Sequence, residues 1–295
     1  MSEVSQIERE CLGPWAEDAR VFRAIVVVNE RAGSVTRNSA DLLVARLREL
    51  GGEIAGVFFS LDDVEAAAAP QADVVVVLGG DGTARAAAEI FGTGPALILL
   101  PGGTLNVLPQ ALYGPRSWPD ALDAAIRHGR IVRLVAGDAN GRRFFVAAFF
   151  GAPTLLARVR EAVREGRLRA AWLRLQNASR RAFSRRLAVR VANGSAARAE
   201  AVGVLCPPYS GTIDGPSLEW VRLNWSGVTD MIRVGLRSVV GVWRDDPTVD
   251  FTREVHGEVR SPGFIPAILD GEPTMFFSRV RVTMRRDGPR VIAVD

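Results

Sequence analysis

The chain of 295 residues contains no lysine, so all 37 of its basic side chains are arginines. A Walker-A phosphate loop needs a lysine beside the nucleotide phosphates, and a protein kinase needs one on a strand of its nucleotide site. Enzymes that form a Schiff base need an amine nucleophile as well. The absence of lysine therefore excludes P-loop enzymes, protein kinases, pyridoxal enzymes and Schiff-base aldolases.

Cysteine and histidine are almost as scarce, with two residues of each type. Cys11 and Cys206 provide no disulfide framework, and a reducing cytosol would keep both as thiols. Together with His128 and His256 they do not form a zinc-type ligand set. The sequence also lacks a G-x-S-x-G motif, which argues against a serine hydrolase.

Long hydrophobic runs are missing too. The longest, at 74–78 and 96–100, fall far short of the ~20 residues that span a bilayer. Residues 1–20 carry acidic side chains and no apolar stretch, which does not fit a signal peptide. We therefore expect a cytoplasmic protein in which residues 1–20 form an N-terminal extension.

Positive charge is present in excess and is unevenly placed. The net charge of +4 suggests an anionic partner. Residues 151–190 hold eleven arginines and two glutamates, a local net charge of +9. Apolar residues between the arginines predict an amphipathic helix. Such a helix can lie on an anionic membrane surface or can be an ordinary solvated face, and both interpretations stay open. We find no motif that reads nucleic-acid bases, and expect no nucleic-acid partner.

The first half of the chain alternates apolar strands with helical stretches. This alternation predicts an α/β domain over 21–134, an open and mostly parallel sheet with helices on both faces. The predicted strands are 24–28, 53–59, 74–78 and 96–100, and the predicted helices are 39–50, 62–69 and 84–91.

The pattern changes near residue 135, where turn signals typical of hairpins begin. These signals are Asn140-Gly141, Asn193-Gly194 and Asp270-Gly271. They predict an antiparallel, β-sandwich-like domain over 135–289, with a basic helical insertion at 152–186. The final strand, 290–294, can return to the first domain and join its sheet.

Three predicted strands of the first domain end in unusual loops, N-E-R-A-G at 29–33, G-G-D-G-T at 79–83 and P-G-G-T at 101–104. In a parallel sheet these loops fall on the carboxyl edge, where ligands bind. Gly79, Gly80 and Gly82 allow positive φ and leave backbone N–H groups unobstructed. With Thr83 as N-cap of a helix that starts at Ala84, the second loop predicts a phosphate site that needs no lysine.

Three segments in order resemble one family. The strand followed by G-G-D-G-T, the P-G-G-T-x-N loop after the next strand and the L-D-G-E-P segment near the C-terminus are similar to the diacylglycerol-kinase catalytic-domain family. That family includes bacterial lipid kinases and the sphingosine and ceramide kinases. The resemblance extends over roughly residues 22 to 285. It implies an α/β nucleotide domain and a β-sandwich-like domain, with ATP and Mg²⁺ as cofactors.

The resemblance also implies roles for individual residues. It implies that Glu272 accepts the proton of the incoming hydroxyl, and that Asp81 either holds a catalytic magnesium ion or shares the proton-acceptor role. It implies a magnesium-binding loop at Asp214, to which Gly211 and Pro216 offer carbonyl groups. The implied nucleotide-binding residues are Asn29, Gly33, Ser60, Gly79, Gly80, Gly82, Thr83, Thr104 and Asn106.

The sequence departs from the family pattern at three positions. Glu30 replaces the usual proline after Asn29, and Arg85 stands where an asparagine is common. Val107 follows Asn106 where the family often has an aspartate. Arg85 could clamp a phosphate, whereas Val107 removes a carboxylate. These departures concern the substrate side more than nucleotide binding and leave room for a different lipid acceptor.

The resemblance implies transfer of the γ-phosphate of ATP to the primary hydroxyl of a membrane lipid. Diacylglycerol is the first expected acceptor, and ceramide or a sphingoid base is the second. Such an enzyme would associate peripherally with the inner face of the membrane. The sequence leaves the oligomeric state open, a homodimer included.

Two other functions are alternatives. An NAD kinase shares G-G-D-G-T, but Asn106-Val107 stands where its second Asn-Glu motif is expected. A lipid- or nucleotide-binding protein without catalysis is suggested by the three departures. Retention of Asp81, Asp214 and Glu272 argues against that second alternative.

Overall fold

The computed structural model describes residues 21–36, 38–64, 72–92, 94–104, 106–151, 187–207, 215–224 and 243–294. These residues form two compact units. The first contains the described chain up to Val135 and from Arg286 onward, and the second contains the described residues between Ala136 and Arg285.

The first unit is built on a six-stranded sheet. Its strands are β1 (Phe22–Val28), β2 (Gly52–Phe58), β3 (Val74–Gly79), β4 (Ala96–Pro101), β5 (Arg130–Arg133) and β16 (Arg290–Ala293). The strand order is β2-β1-β3-β4-β16-β5. All neighbours pair in parallel except β16 and β5, which pair antiparallel. Every residue of β3 is buried, as expected for a central strand of a parallel sheet that is covered on both faces.

Four helices of the first unit are described. They are α1 (Ser39–Glu49), α2 (Asp81–Phe91), α3 (Val107–Tyr113) and α4 (Trp118–His128). The sequence prediction that α2 starts at Ala84 is wrong, because the helix begins at Asp81 and has Gly80 as its N-cap. Thr83 is therefore a residue of the first turn and not the cap. The predicted helix at 62–69 lies mostly outside the described residues, and its described part, 62–64, forms a turn and bend.

The second unit is an antiparallel sheet. Its strands are β6 (Ala136–Ala139), β7 (Arg142–Phe144), β8 (Ala147–Gly151), β9 (Leu187–Val191), β10 (Ala197–Ala199), β11 (Ala201–Leu205), β12 (Leu218–Leu223), β13 (Val249–Glu254), β14 (His256–Leu269) and β15 (Glu272–Arg285). The main strand order is β13-β12-β11-β8-β14-β15-β6-β7, and β9 pairs with β14 and β10. A short 3-10 helix, Trp243–Asp245, precedes β13.

Side chains from one face of this sheet form the core of the second unit. Trp220 and Phe144 are fully buried there, with Phe150 and Val259 packed in the same cluster. Because successive residues of a strand point to opposite faces, the alternate residues of β14 and β15 point away from this core. The predicted fold class is thus confirmed, with a mostly parallel α/β sheet in one unit and an antiparallel sheet in the other.

Two hairpin turns lie where the sequence predicts them. Asn140 and Gly141 have φ of 51° and 86°, and Asp270 and Gly271 have φ of 46° and 88°. Two successive residues with positive φ are the signature of a two-residue type I′ turn, which suits the twist of paired strands. The third predicted turn, at 193–194, places its positive φ one residue earlier, at Ala192.

The predicted basic helix at 152–186 and the N-terminal extension lie outside the described residues. Among the helices that are described, none has the length and apolar character needed to cross a membrane.

Candidate phosphate-binding site

The loops after β1, β3 and β4 meet at the carboxyl edge of the first unit's sheet. The N–H of Gly102 donates to the carbonyl of Gly79 over 2.7 Å, and the N–H of Ser34 donates to the carbonyl of Gly102 over 3.1 Å. The predicted convergence of the three loops is therefore observed, and backbone hydrogen bonds hold it together.

Close packing within and between these loops explains three of their six glycines. A Cβ on Gly103 would lie 2.7 Å from the Cα of Gly80, and one on Gly102 would lie 2.9 Å from the backbone nitrogen of Gly79. A Cβ on Gly79 would lie 2.7 Å from the Cβ of Thr83. The residues with positive φ include none of the loop glycines. Positive φ is therefore not the reason for glycine in these loops, and at Gly79, Gly102 and Gly103 the lack of a side chain permits close approach instead.

Gly82 differs from the other loop glycines. A Cβ built on Gly82 would meet no described atom within 4 Å. The residue is exposed and lies in the first turn of α2, where alanine would stabilise a helix by about 1 kcal/mol relative to glycine. Neither packing nor backbone conformation therefore requires glycine at this position, and the space beside the first turn is open to a ligand.

The start of α2 offers donors to that space. Gly80 is in an extended conformation with φ −87° and ψ 179°, and its carbonyl accepts the N–H of Ala84 over 2.9 Å. The N–H groups of the following first-turn residues have no intrahelical acceptor. They point along the positive end of the helix dipole, which favours an anion at this position.

Asn29 connects the loop after β1 to this first turn. Its side-chain nitrogen donates to the hydroxyl of Thr83 over 2.8 Å, while its side-chain oxygen accepts the N–H of Arg31 over 3.0 Å. The Thr83 oxygen accepts this hydrogen bond, so its own proton is left to donate to another group. A phosphate oxygen is an acceptor of the required kind.

Asp81 joins the second loop to the start of α3. The carboxylate is half-buried, and its Oδ1 accepts the backbone N–H of Leu108 over 3.3 Å. Asp81 also lies in the first turn of α2, where the helix dipole stabilises a negative charge. One carboxylate oxygen thus supports the loops, and the other can hold a cation or a proton.

Asn106 holds the loop after β4, and its predicted role in nucleotide binding stays a prediction. It adopts a left-handed conformation with φ 49°. Its side-chain oxygen accepts the N–H of Gly103 over 2.7 Å, and its side-chain nitrogen donates to the carbonyl of Gly103 over 2.9 Å. Both ends of the amide are therefore used to hold the P-G-G-T loop. Asparagine suits the position because it tolerates left-handed backbone better than other non-glycine residues.

The other predicted nucleotide residues of the first unit lie in the loops after β1, β2 and β4. Thr104 is exposed, and its hydroxyl oxygen would be 3.5 Å from a Cβ on Gly33, so these two residues are neighbours. The hydroxyl of Ser60 accepts the N–H of Asp62 over 3.2 Å, which is a local turn contact. Among the departures from the family pattern, Arg85 is half-buried, and its Nε lies 3.7 Å from Oε1 of Glu89 one turn further along α2.

Glu272 belongs to the second unit, where it is the exposed first residue of β15 and pairs with Leu269. It follows the type I′ turn directly. The carboxylate of Asp270 in that turn accepts the backbone N–H groups of Phe145, Val146 and Ala147 over 2.7, 2.9 and 2.9 Å.

The Asp270 contacts fix the tip of the β14–β15 hairpin, and with it the backbone of Glu272. This role of Asp270 was not predicted from the sequence. An aspartate followed by glycine signals a turn, but nothing in the sequence indicates that the same carboxylate binds a loop more than a hundred positions earlier.

The predicted magnesium loop is not described in full. Asp214 and Gly211 lie outside the described residues, whereas Pro216 is described and exposed. The described part of the chain contains no group of three or more acidic, histidine or cysteine side chains that could hold a metal ion by itself.

Comparison with known proteins gives a family match for one segment of the chain and a similar fold for most of it. Residues 23–136 match the family model of the diacylglycerol kinase catalytic domain. No curated protein sequence matches the chain. A solved structure of a diacylglycerol kinase from Bacillus anthracis strain Sterne is similar with a TM-score of 0.64 and 14% identity, over 93% of this chain and 97% of that chain.

Two nicotinamide-nucleotide kinases are also similar in structure. An NAD kinase from Archaeoglobus fulgidus in complex with ATP has a TM-score of 0.53 and 12% identity, over 92% of this chain and 93% of that chain. Yeast NADH kinase complexed with NADH has a TM-score of 0.53 and 11% identity, over 95% of this chain and 85% of that chain. At these identities the similarity concerns the fold.

The matched segment, residues 23–136, contains all three loops that meet at the edge of the parallel sheet. The resemblance inferred from the sequence is therefore confirmed as a match of residues 23–136 to the diacylglycerol kinase catalytic domain, together with the fold of a solved diacylglycerol kinase.

Proposed function

We propose that this protein is an ATP-dependent lipid kinase, which transfers the γ-phosphate to the primary hydroxyl of a membrane lipid. The observation that carries the proposal is the open space beside Gly82 at the start of α2, inside the segment that matches the diacylglycerol kinase family. Neither packing nor the backbone angle φ requires glycine at this position. The presence of glycine is best explained by a ligand that approaches the backbone closely.

The residues around this space fit nucleotide phosphates. The first-turn N–H groups of α2 and the Thr83 hydroxyl proton are donors, and phosphate oxygens are acceptors. Asn29 sets the direction of the Thr83 hydroxyl. The structurally similar NAD kinase binds ATP, which supports nucleotide binding by this fold. These contacts replace the lysine of a Walker-A loop.

Two carboxylates fit the remaining chemistry. Phosphoryl transfer depends mainly on positioning and on neutralisation of the phosphate charge. Asp81 has one oxygen available to hold magnesium beside the phosphates, and when bound the ion would neutralise charge on their oxygens. Glu272 is the proposed general base, which would take the proton of the lipid hydroxyl. A second magnesium site is proposed in the loop that contains Asp214, Gly211 and Pro216.

The acceptor is the least constrained part of the proposal. Diacylglycerol is the first candidate, and ceramide or a sphingoid base is the second. NAD is a weaker candidate, because the family model is that of diacylglycerol kinases and the structural similarity is greater for the lipid kinase than for the NAD and NADH kinases. A lipid acceptor would bring the protein to the inner face of the membrane, as a monomer or a homodimer.

A panel of acceptors tests the proposal. The protein is incubated with γ-labelled ATP, magnesium and one of diacylglycerol, ceramide, sphingosine or NAD, and the label in each product is counted. We expect label in a lipid product and none in NADP. Labelled NADP would establish the NAD-kinase alternative, and absence of label from every product would favour a binding protein without catalysis.

A further inference from the structure

The β14–β15 hairpin of the second unit has an outer face that is apolar at one end and basic at the other. Residues such as Val259, Ile265 and Val280 point into the core. The alternate residues point outward. We define the hairpin face as the following outward side chains of β14 and β15 together with Arg190 of the adjacent β9: Arg190, Glu258, Arg260, Phe264, Pro266, Met275, Phe277, Arg279 and Arg281.

The apolar end of the hairpin face is unusually exposed. Phe264, Met275 and Phe277 have 64%, 49% and 68% of their surface accessible. Phe264 and Phe277 are directly opposite each other on the two strands, with ring centroids 5.3 Å apart in an edge-to-face arrangement. Pro266 lies opposite Met275 in the same register. The result is one contiguous apolar patch.

The basic end continues along the same strands. Arg260 is opposite Arg279, and Arg281 is opposite Glu258. Arg190 of β9 pairs with Glu258 from the other side. Glu258 forms ion pairs with Arg260 and Arg279. Four arginines and one glutamate give this end a net charge of +3.

We propose that the hairpin face docks on the surface of an anionic phospholipid bilayer. In this arrangement Phe264, Phe277 and Met275 enter the boundary between headgroups and acyl chains, and the arginines bind lipid phosphates. Aromatic and long apolar side chains next to arginines are the composition that binds such an interface. The charge of the basic end is complementary to an anionic bilayer.

A second copy of the chain is a poorer occupant. The exposed apolar area of the three side chains is roughly 300–400 Å², which is about half of the ~800 Å² per partner that a stable dimer needs. Two copies would also bring surfaces of the same net charge together. An anionic membrane requires no minimum apolar area of this kind and carries the opposite charge.

Docking by this face would bring the proposed kinase to its lipid substrate. This consequence for catalysis rests on the proposed function. Glu272 lies on β15 three residues before Met275, a distance of about 10 Å along a strand. The hairpin that docks would therefore carry the proposed base to the depth at which a lipid hydroxyl lies.

Vesicle binding of the full chain tests the inference without catalysis. Vesicles of phosphatidylcholine alone and of phosphatidylcholine with phosphatidylglycerol are sedimented with wild type, with Phe264→Thr/Phe277→Thr and with Arg279→Gln/Arg281→Gln. Threonine keeps a good strand propensity. A matched control, Leu42→Ser/Arg48→Gln, removes one exposed apolar and one exposed basic side chain from α1. Thermal melting checks that every variant folds.

We expect wild type and the control to bind the anionic vesicles equally. The double phenylalanine variant should lose at least tenfold in partition, and the arginine variant about fivefold for each charge removed. Undiminished binding by both variants, or no binding by wild type, would overturn the inference. Loss of a concentration-dependent dimer in the phenylalanine variant would show that the face is instead an interface between copies.

Phosphoryl transfer to a short-chain diacylglycerol dissolved below its micellar concentration separates this inference from the proposed function. Both hairpin variants should transfer phosphate to this dissolved acceptor at the wild-type rate. If wild type fails in this assay and still binds vesicles, the proposed function is wrong and the docking face stands. If the dissolved acceptor is phosphorylated and vesicles are not bound, the docking face is wrong and the kinase stands.

Discussion

The side-chain amide of Asn29 donates to the hydroxyl of Thr83 over 2.8 Å, and this contact joins the loop after β1 to the first turn of α2. The amide cannot turn over without cost, because its oxygen accepts the N–H of Arg31. Thr83 is therefore held as an acceptor toward Asn29 and as a donor toward the open space beside Gly82. Two loops separated by more than fifty residues thus prepare one donor for an anion.

Thr83→Val tests this donor with almost no change of shape. A hydrogen bond to a charged group contributes about 1.5–3 kcal/mol, so we expect the dissociation constant of ATP to rise by roughly 10- to 100-fold. Thr83→Ser keeps the hydroxyl and should stay within a few-fold of wild type. Isothermal titration with ATP measures both, and an unchanged affinity in the valine variant would mean that Thr83 supports the loop without touching the phosphates.

Asp270→Asn tests the anchor of the β14–β15 hairpin. Asparagine tolerates the positive φ of this position, but its amide nitrogen would face one of the three N–H groups that the carboxylate accepts. We expect the free energy of unfolding to fall by about 1–3 kcal/mol, as measured by denaturation in urea. Asn140→Asp, at the equivalent first position of the other type I′ turn, is the comparison and should cost less. If Asp270→Asn were as stable as wild type, the Asp270 carboxylate would not anchor the hairpin.

The ion pair between α1 and α4 predicts a pH dependence of stability. Hydrogen bonds from Arg46 hold the pKa of Asp123 below its ordinary value. A carboxylate with a lowered pKa in the folded state stabilises the fold above its unfolded pKa, and this contribution is lost as the pH falls through the folded value.

Asp123→Asn should therefore destabilise the protein at pH 7 and should match wild type well below pH ~4. The pair is partly exposed, so the difference at neutral pH should not exceed ~1 kcal/mol. Arg46→Gln should also destabilise the protein at pH 7, and its stability should likewise approach that of wild type in acid. Urea unfolding at both pH values measures these differences, and a gap that persists in acid would show that the residue acts through packing.

Glu272→Gln separates the chemical step from nucleotide binding. Glutamine keeps the shape of the side chain but cannot accept a proton, and loss of a positioned base lowers the rate by ~10²–10⁴-fold. We expect kcat to fall by this amount while ATP affinity changes by no more than a few-fold. Parallel loss of ATP binding would make Glu272 a metal or nucleotide ligand instead, and retained activity would transfer the role of base to Asp81.

The sequence was sufficient for the features that local patterns determine. Buried apolar runs such as 74–78 predicted the parallel strands, and Asn140-Gly141 and Asp270-Gly271 predicted the type I′ turns. The convergence of the three loops followed from strand direction alone. The strands and turns could be predicted because each depends on residues that are neighbours in the chain, and the convergence of the loops could be predicted because parallel strands end at the same edge of a sheet.

Contacts between distant segments could not be predicted in the same way. The sequence indicated only that the loop glycines allow positive φ, but Gly79 and Gly103 are needed because another backbone or side chain lies under 3 Å from the site of a Cβ. The hydrogen bonds by which the Asn106 amide holds Gly103 were not predicted either. Asp270 anchors a loop more than a hundred residues away. Each of these facts depends on tertiary packing that a single sequence does not encode locally.

Titration of ATP into Gly82→Ala tests most directly the claim that the first turn of α2 binds nucleotide phosphates. A Cβ at this position meets no described atom within 4 Å, and alanine favours the helix by about 1 kcal/mol, so the melting temperature should be unchanged or higher. The methyl group would occupy the space proposed for phosphate, and we predict at least a tenfold rise in the dissociation constant of ATP with little change for adenosine. An unchanged ATP affinity in a normally folded Gly82→Ala protein would contradict the account.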